Sequence, residues 1–163
     1  MKEKLSLYEY LNFVLIGLIF TGCCVLVLKD DEWVKTIFKE IKSLSLGIEV
    51  VITFILFGLI YEIGFIINRI GSIVIEPIFK KFKIIHFKND YKLFNERKKQ
   101  YPIMEVLSRE FALARTQISM FFILLVVSLL KQQFILSGVF FLLVLLFTLS
   151  MRKHSKKIVD LMS

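Results

Sequence analysis

Residues that usually carry chemistry are scarce in this chain. Its 163 residues include two histidines, two cysteines, two prolines and one tryptophan. His86 and His154 stand in no pattern with a nucleophile or with a second metal ligand. Cys23 and Cys24 are neighbours in the chain, so they cannot make a disulfide framework. No His or Asp near them completes a metal site, and they read as small apolar fillers at a helix interface. The sequence has no glycine-rich phosphate cradle, and its acidic residues do not pair as acid–base catalysis needs. No enzyme class and no cofactor is therefore expected. The near absence of proline, beside seventeen phenylalanines, points to apolar helices rather than sheet.

Apolar length is abundant. Hydrophobic residues make up 56% of the chain, and the mean hydropathy is +0.71. A soluble domain of this size carries more polar surface. Crossing a bilayer takes roughly 20 mostly apolar residues. Residues 11–28 qualify, and so do residues 50–67, which carry Glu62. Residues 118–130 reach that length if their helix starts near Phe111 and holds Arg115 at its inner end. Residues 134–150 form a fourth span. The first run is long for a signal peptide and lacks a small-x-small cleavage pattern, so it reads as a retained helix. Only Lys131, Gln132 and Gln133 separate the last two spans, which predicts a tight antiparallel hairpin. The expected fold is all-α: an integral membrane protein with four transmembrane helices.

The net charge of +8 bears on orientation. Placing both termini and the second connection in the cytoplasm puts sixteen basic residues there, and the opposite topology exports them. This predicts an N-in, C-in protein of the bacterial inner membrane, with the second and third helices extending into the cytoplasm. The first connection repeats Trp33, Ile37, Ile41 and Leu44 at helical spacing, with Val34 and Phe38 beside them and Asp30 or Asp31 as cap. It reads as an amphipathic helix on the outer face, either an interfacial anchor or a binding surface. The chain divides into a first hairpin (1–72), a basic collar (73–115) and a second hairpin with a basic tail (116–163). The collar is too short to fold alone, although Pro102 suits the start of a helix. Contact with lipid and with sister subunits in a homo-oligomer, for example a tetramer, is expected.

Two constellations are candidates for function. Glu62, Arg69 and Glu76 are spaced seven apart, which on an α-helix places all three on one face, with Ser72 and Phe65 near the same line. That face must look at protein or water. It reads as a pore or gate lining, or as a polar network that fixes helix register. Gly64 and Gly71 mark a close-contact face beside it. The second constellation is a basic belt: Lys80, Lys81, Lys83, Lys88, Lys92, Arg97, Lys98 and Lys99, interleaved with Phe87, Tyr91, Phe94 and Tyr101. Lysines neutralise phosphates and aromatic rings stack on bases, so the belt reads as an anion-binding chamber or as inner-face topology with lipid contact. Arg109 and Arg115 fall on different sides of the next helix. Arg109 can reach a phosphate or carboxylate, and Arg115 can pair with Glu62 or Glu76.

The stretch Asn68-Arg69-Ile70-Gly71-Ser72-Ile73-Val74-Ile75-Glu76-Pro77, then a basic connection, then Ser108-Arg109-Glu110 before an apolar hairpin, resembles small membrane proteins of bacterial antiphage defence. In size and layout, from about residue 50 onward, it is similar to the membrane channel effectors of Hailong systems. The membrane subunits of Kiwa systems are a second likeness. The first resemblance implies a homo-oligomeric ion channel, held closed by an oligonucleotide made by a partner nucleotidyltransferase, that depolarises the infected cell on opening. The second implies a non-conducting membrane sensor that recruits a cytoplasmic partner.

Overall fold

The computed structural model describes residues 7–29, 31–85 and 91–162, and among these it is built of helices and turns without strand. Lys2, Lys4, Asp30, His86, Phe87 and Lys88 lie outside the described residues. The helices are α1 (Leu7–Leu28), α2 (Glu32–Lys42), α3 (Leu46–Ile70), α4 (Glu76–Lys81), α5 (Tyr91–Gln100), α6 (Ile103–Leu130) and α7 (Phe134–Met162). A single π-helical turn, Gly71–Ile75, joins α3 to α4. Four continuous helices are long and apolar enough to cross a membrane: Leu7–Leu28, Leu46–Lys81, Ile103–Leu130 and Phe134–Met162. By length and composition the chain is a multi-pass membrane protein.

Two antiparallel pairs make the bundle, α1 with α3 and α6 with α7. Glycine sets the closeness of the first pair. A Cβ on Gly17 would strike the backbone carbonyl of Ile60, and one on Gly64 would strike that of Phe13. Each helix thus uses one glycine against the other's main chain, a contact suited to lipid, where packing rather than water exclusion joins helices. Aromatic rings extend this seam: Tyr10 stacks on Tyr61, and Phe13 meets Tyr61 and Phe65 edge-on. The second pair is held by volume. Met120, Phe121, Leu124 and Phe140 fill its middle and share one core with Ile16, Val27 and Ile67 of the first pair, and Phe121 stacks on Phe140 and Phe147. Near the turn, Ser128 and Ser137 share a buried hydroxyl hydrogen bond of 2.8 Å.

The turn between α6 and α7 closes as a Schellman motif. Gln132 adopts φ 56°, its N–H bonds to Leu129 and that of Gln133 bonds to Ser128. Lys83 ends α4 in the same way: φ is 55°, and Lys83 and Ile84 donate back to Lys80 and Phe79. At this same end of the bundle, the second half of α7 helps to build a core that the sequence reading did not anticipate. Ile75, Ile85, Met104, Leu107, Phe111, Met151 and Ile158 are buried together, with Phe79, Ile84 and Phe94 against them. The basic region therefore has an apolar interior within one chain. What was read as a tail after residue 150 is a continuation of α7, and α5 is an additional helix. The π turn and α6 run straight across the divisions at residues 72 and 115.

The opposite end is tied by Asp31. Its carboxylate accepts Lys131 Nζ at 2.7 and 2.8 Å and Trp33 Nε1 at 3.3 Å. As the N-cap of α2 it makes no side-chain cap bond, because the lysine across the gap takes the carboxylate. Gln133 adds a hydrogen bond to the Val27 carbonyl. On α2 Val34 is buried, while Trp33 and Ile37 stay exposed.

Two expectations follow. Gly17→Val and Gly64→Val lower the unfolding free energy in detergent by about 1–3 kcal/mol through overpacking. Gly22→Val and Gly58→Val, where nothing stands within 4 Å, are free of that clash and cost less. The Lys131 hydrogen bond holds the Asp31 carboxyl below the ordinary aspartate range. A depressed folded-state pKa stabilises at pH values above the ordinary range, and that stabilisation is lost as pH falls through the lower folded value. NMR titration of Asp31 shows this low value in the wild type and a rise on Lys131→Met.

Candidate functional site

The most informative geometry lies where α3 passes into α4. Pro77 has no N–H to give the helix, and its ring crowds the carbonyl four residues back. The preceding turn is widened: the Glu76 N–H bonds to the Gly71 carbonyl, five residues earlier. The helix then continues to Lys81, as the expected extension of the second long helix requires. The extra residue rotates everything beyond it by about 100°.

That rotation corrects the reading of a single charged face. Glu62 and Arg69 are exposed on α3, and the Arg69 guanidinium lies over the Phe65 ring at 4.8 Å. Glu76 turns inward instead. Its carboxylate accepts Arg115 Nη1 and, on the other oxygen, Lys80 Nζ at 2.7 Å. The side chains of Glu76 and Arg115 are only 17% and 14% exposed, so this is a largely desolvated pair. Asn68 completes it: its Oδ1 accepts Arg115 Nη2 at 3.3 Å and Thr116 Oγ1 at 2.9 Å. Gly71 lets α6 come close, since a Cβ there would lie 2.8 Å from Ser119 Oγ and 3.2 Å from the Arg115 carbonyl. Ser72 is half-buried beside it. Of the four residues read as a pore or gate, two face outward and Glu76 joins an internal node.

Next to the node is a cavity of about 230 Å³ among α1, α3 and α6. Tyr8, Glu9, Asn12, Asn68, Arg109, Arg115 and Thr116 supply its polar wall, and Phe13, Ile16, Ala112 and Leu113 its apolar one. Arg109 and Arg115, which helical spacing separated, both reach it because α1 closes over the gap between them. Arg109 also bonds to Glu105 and lies over the Tyr8 ring at 5.7 Å.

The basic belt is less uniform than its sequence suggests. Lys80 is spent on Glu76, Lys98 meets Glu105 at 3.4 Å, and Arg97 donates to Gln100. Phe94 packs into the core instead of facing outward. Lys81, Lys83, Lys92 and Lys99 are exposed, as are Arg152, Lys153, Lys156 and Lys157 on α7; Lys88 lies outside the described residues. Sequence reasoning missed Asn12, Asn68, Glu105 and Thr116. Asn12 was visible as a lone amide in an apolar run, and Asn68 as the neighbour of Arg69. Nothing in the linear pattern showed Thr116 facing Asn68. Among the described residues no group of three His, Cys, Asp or Glu side chains could hold a metal ion.

No protein-family model, curated protein or solved structure matches this chain.

Proposed function

We propose that this chain is the subunit of a homo-oligomeric ion channel of the bacterial inner membrane, an effector of antiphage defence gated from its basic end. The observation that carries the reading is the outer surface of α3. Phe54, Leu59 and Ile66 are exposed along it, and Glu62 and Arg69 are exposed among them. An ionised side chain at the centre of a lipid-facing helix costs at least about 2.5–3.5 kcal/mol. Neighbouring subunits supply cover for the apolar residues, and a shared aqueous path supplies solvent for the two charges. The basic end then faces the cytoplasm, in accord with the positive-inside rule. Its exposed lysines attract an anionic ligand, an oligonucleotide being the case that the defence resemblance suggests.

A second reading is a non-conducting anchor whose exposed lysines on α4, α5 and α7 dock a cytoplasmic partner. Planar-bilayer recording separates the two. The channel reading predicts discrete conductance from purified wild-type protein. In a salt gradient Glu62→Gln shifts the reversal potential toward anion preference and Arg69→Gln shifts it toward cation preference, as expected for charges lining a path. Silent bilayers with every ligand, together with partner capture in cells that stay polarised, establish the anchor instead.

A further inference from the structure

The cavity among α1, α3 and α6 lies apart from Glu62 and Arg69, and its walls describe a ligand. One side carries two guanidinium groups, one carboxylate, two amides and two hydroxyls, a net positive wall, and the other is aromatic and aliphatic. It sits at the ends of the apolar helices, where Tyr8 and Arg109 stack. Amphipathic aromatic and basic side chains favour that level of a bilayer. The cavity is small for a drug-sized ligand and smaller still than an oligonucleotide requires.

We propose that this cavity binds the phosphate group of an amphiphile, with the phosphate between Arg109 and Arg115 and the first carbons of its tail along Phe13, Ile16 and Leu113. Guanidinium is the side chain best matched to phosphate, through parallel charge-assisted hydrogen bonds. Arg115 is already oriented by Glu76 and Asn68, with one bond from each Nη, so each of those nitrogens keeps a second N–H to donate. Arg109 shares its charge with Glu105 while 43% of its side chain remains exposed. A membrane phospholipid and a soluble phosphomonoester share the phosphate chemistry, and the apolar wall favours the lipid.

Native mass spectrometry of the full chain in detergent tests this. The probes are phosphatidylglycerol, diacylglycerol with the same tails, and glycerol 3-phosphate. The expected result is one phosphatidylglycerol held per chain and no retention of diacylglycerol. Arg109→Gln weakens binding about tenfold, the loss of one charge-assisted hydrogen bond. Ala112→Leu, which fills the cavity without touching a charge, weakens it as well, while helicity stays unchanged. Displacement of the lipid by glycerol 3-phosphate at equal concentration supports the same site with a soluble phosphate as its natural occupant. Equal retention of diacylglycerol, no retention of either lipid, or wild-type binding by both variants overturns the proposal. The readout is binding alone, so a silent bilayer leaves it standing.

Discussion

Arg115 on α6 and Glu76 at the start of α4 belong to different helix pairs, and their ion pair bridges the two. On one side α1 and α3 are joined by backbone against glycine; on the other α6 and α7 are joined by interlocking side chains. Between the pairs, Asn68, Glu76, Arg115 and Thr116 form a connected polar group packed over Gly71. Separating this largely buried pair leaves Arg115 without its charged partner and Glu76 with Lys80 alone, which costs more than exposing an apolar contact of similar size. The widened turn before Pro77 makes the pair available by rotating Glu76 toward α6. Lipid offers no hydrophobic drive to hold helices together, so directional contacts of this kind decide how the pairs dock.

The same rotation separates two roles that the regular spacing had merged. Glu76 becomes structural and internal. Glu62 and Arg69, before the turn, keep the outward face and remain a problem that a single chain in lipid does not solve. The proposed ring of subunits answers it, and the exposed lysines at the basic end fit the same arrangement. The phosphate cavity lies between these features, with Arg115 serving both the node and the ligand wall. A bound amphiphile there would touch α1, α3 and α6 at once, and so bear on how the two helix pairs sit.

The four long helices were legible in the sequence because hydropathy over some twenty residues is a strong signal. So were the tight turn at Lys131, the amphipathic α2, and the close-contact role of Gly64 and Gly71. Partner choice was not. Gly64 meets α1 and Gly71 meets α6, although they lie two turns apart on one continuous helix, and neither composition nor spacing separates those partners. The π turn was hidden for a related reason: Pro77 announces a disturbance, but the extra residue that absorbs it leaves no mark in the pattern. The node depends on it, because Glu76 lies just beyond the turn. The collar's core was missed because part of it, Met151 and Ile158, comes from a segment whose basic residues made it read as a tail.

A double-mutant cycle on Glu76→Ala and Arg115→Ala, read as unfolding free energy of the purified chain in detergent, tests most directly whether this node joins the two helix pairs. Each single change should be destabilising, and the double change less so than the two together, with a coupling of about 1 kcal/mol or more. Effects that add to within about 0.3 kcal/mol would show that the two residues act independently and that the pairs are held by other contacts.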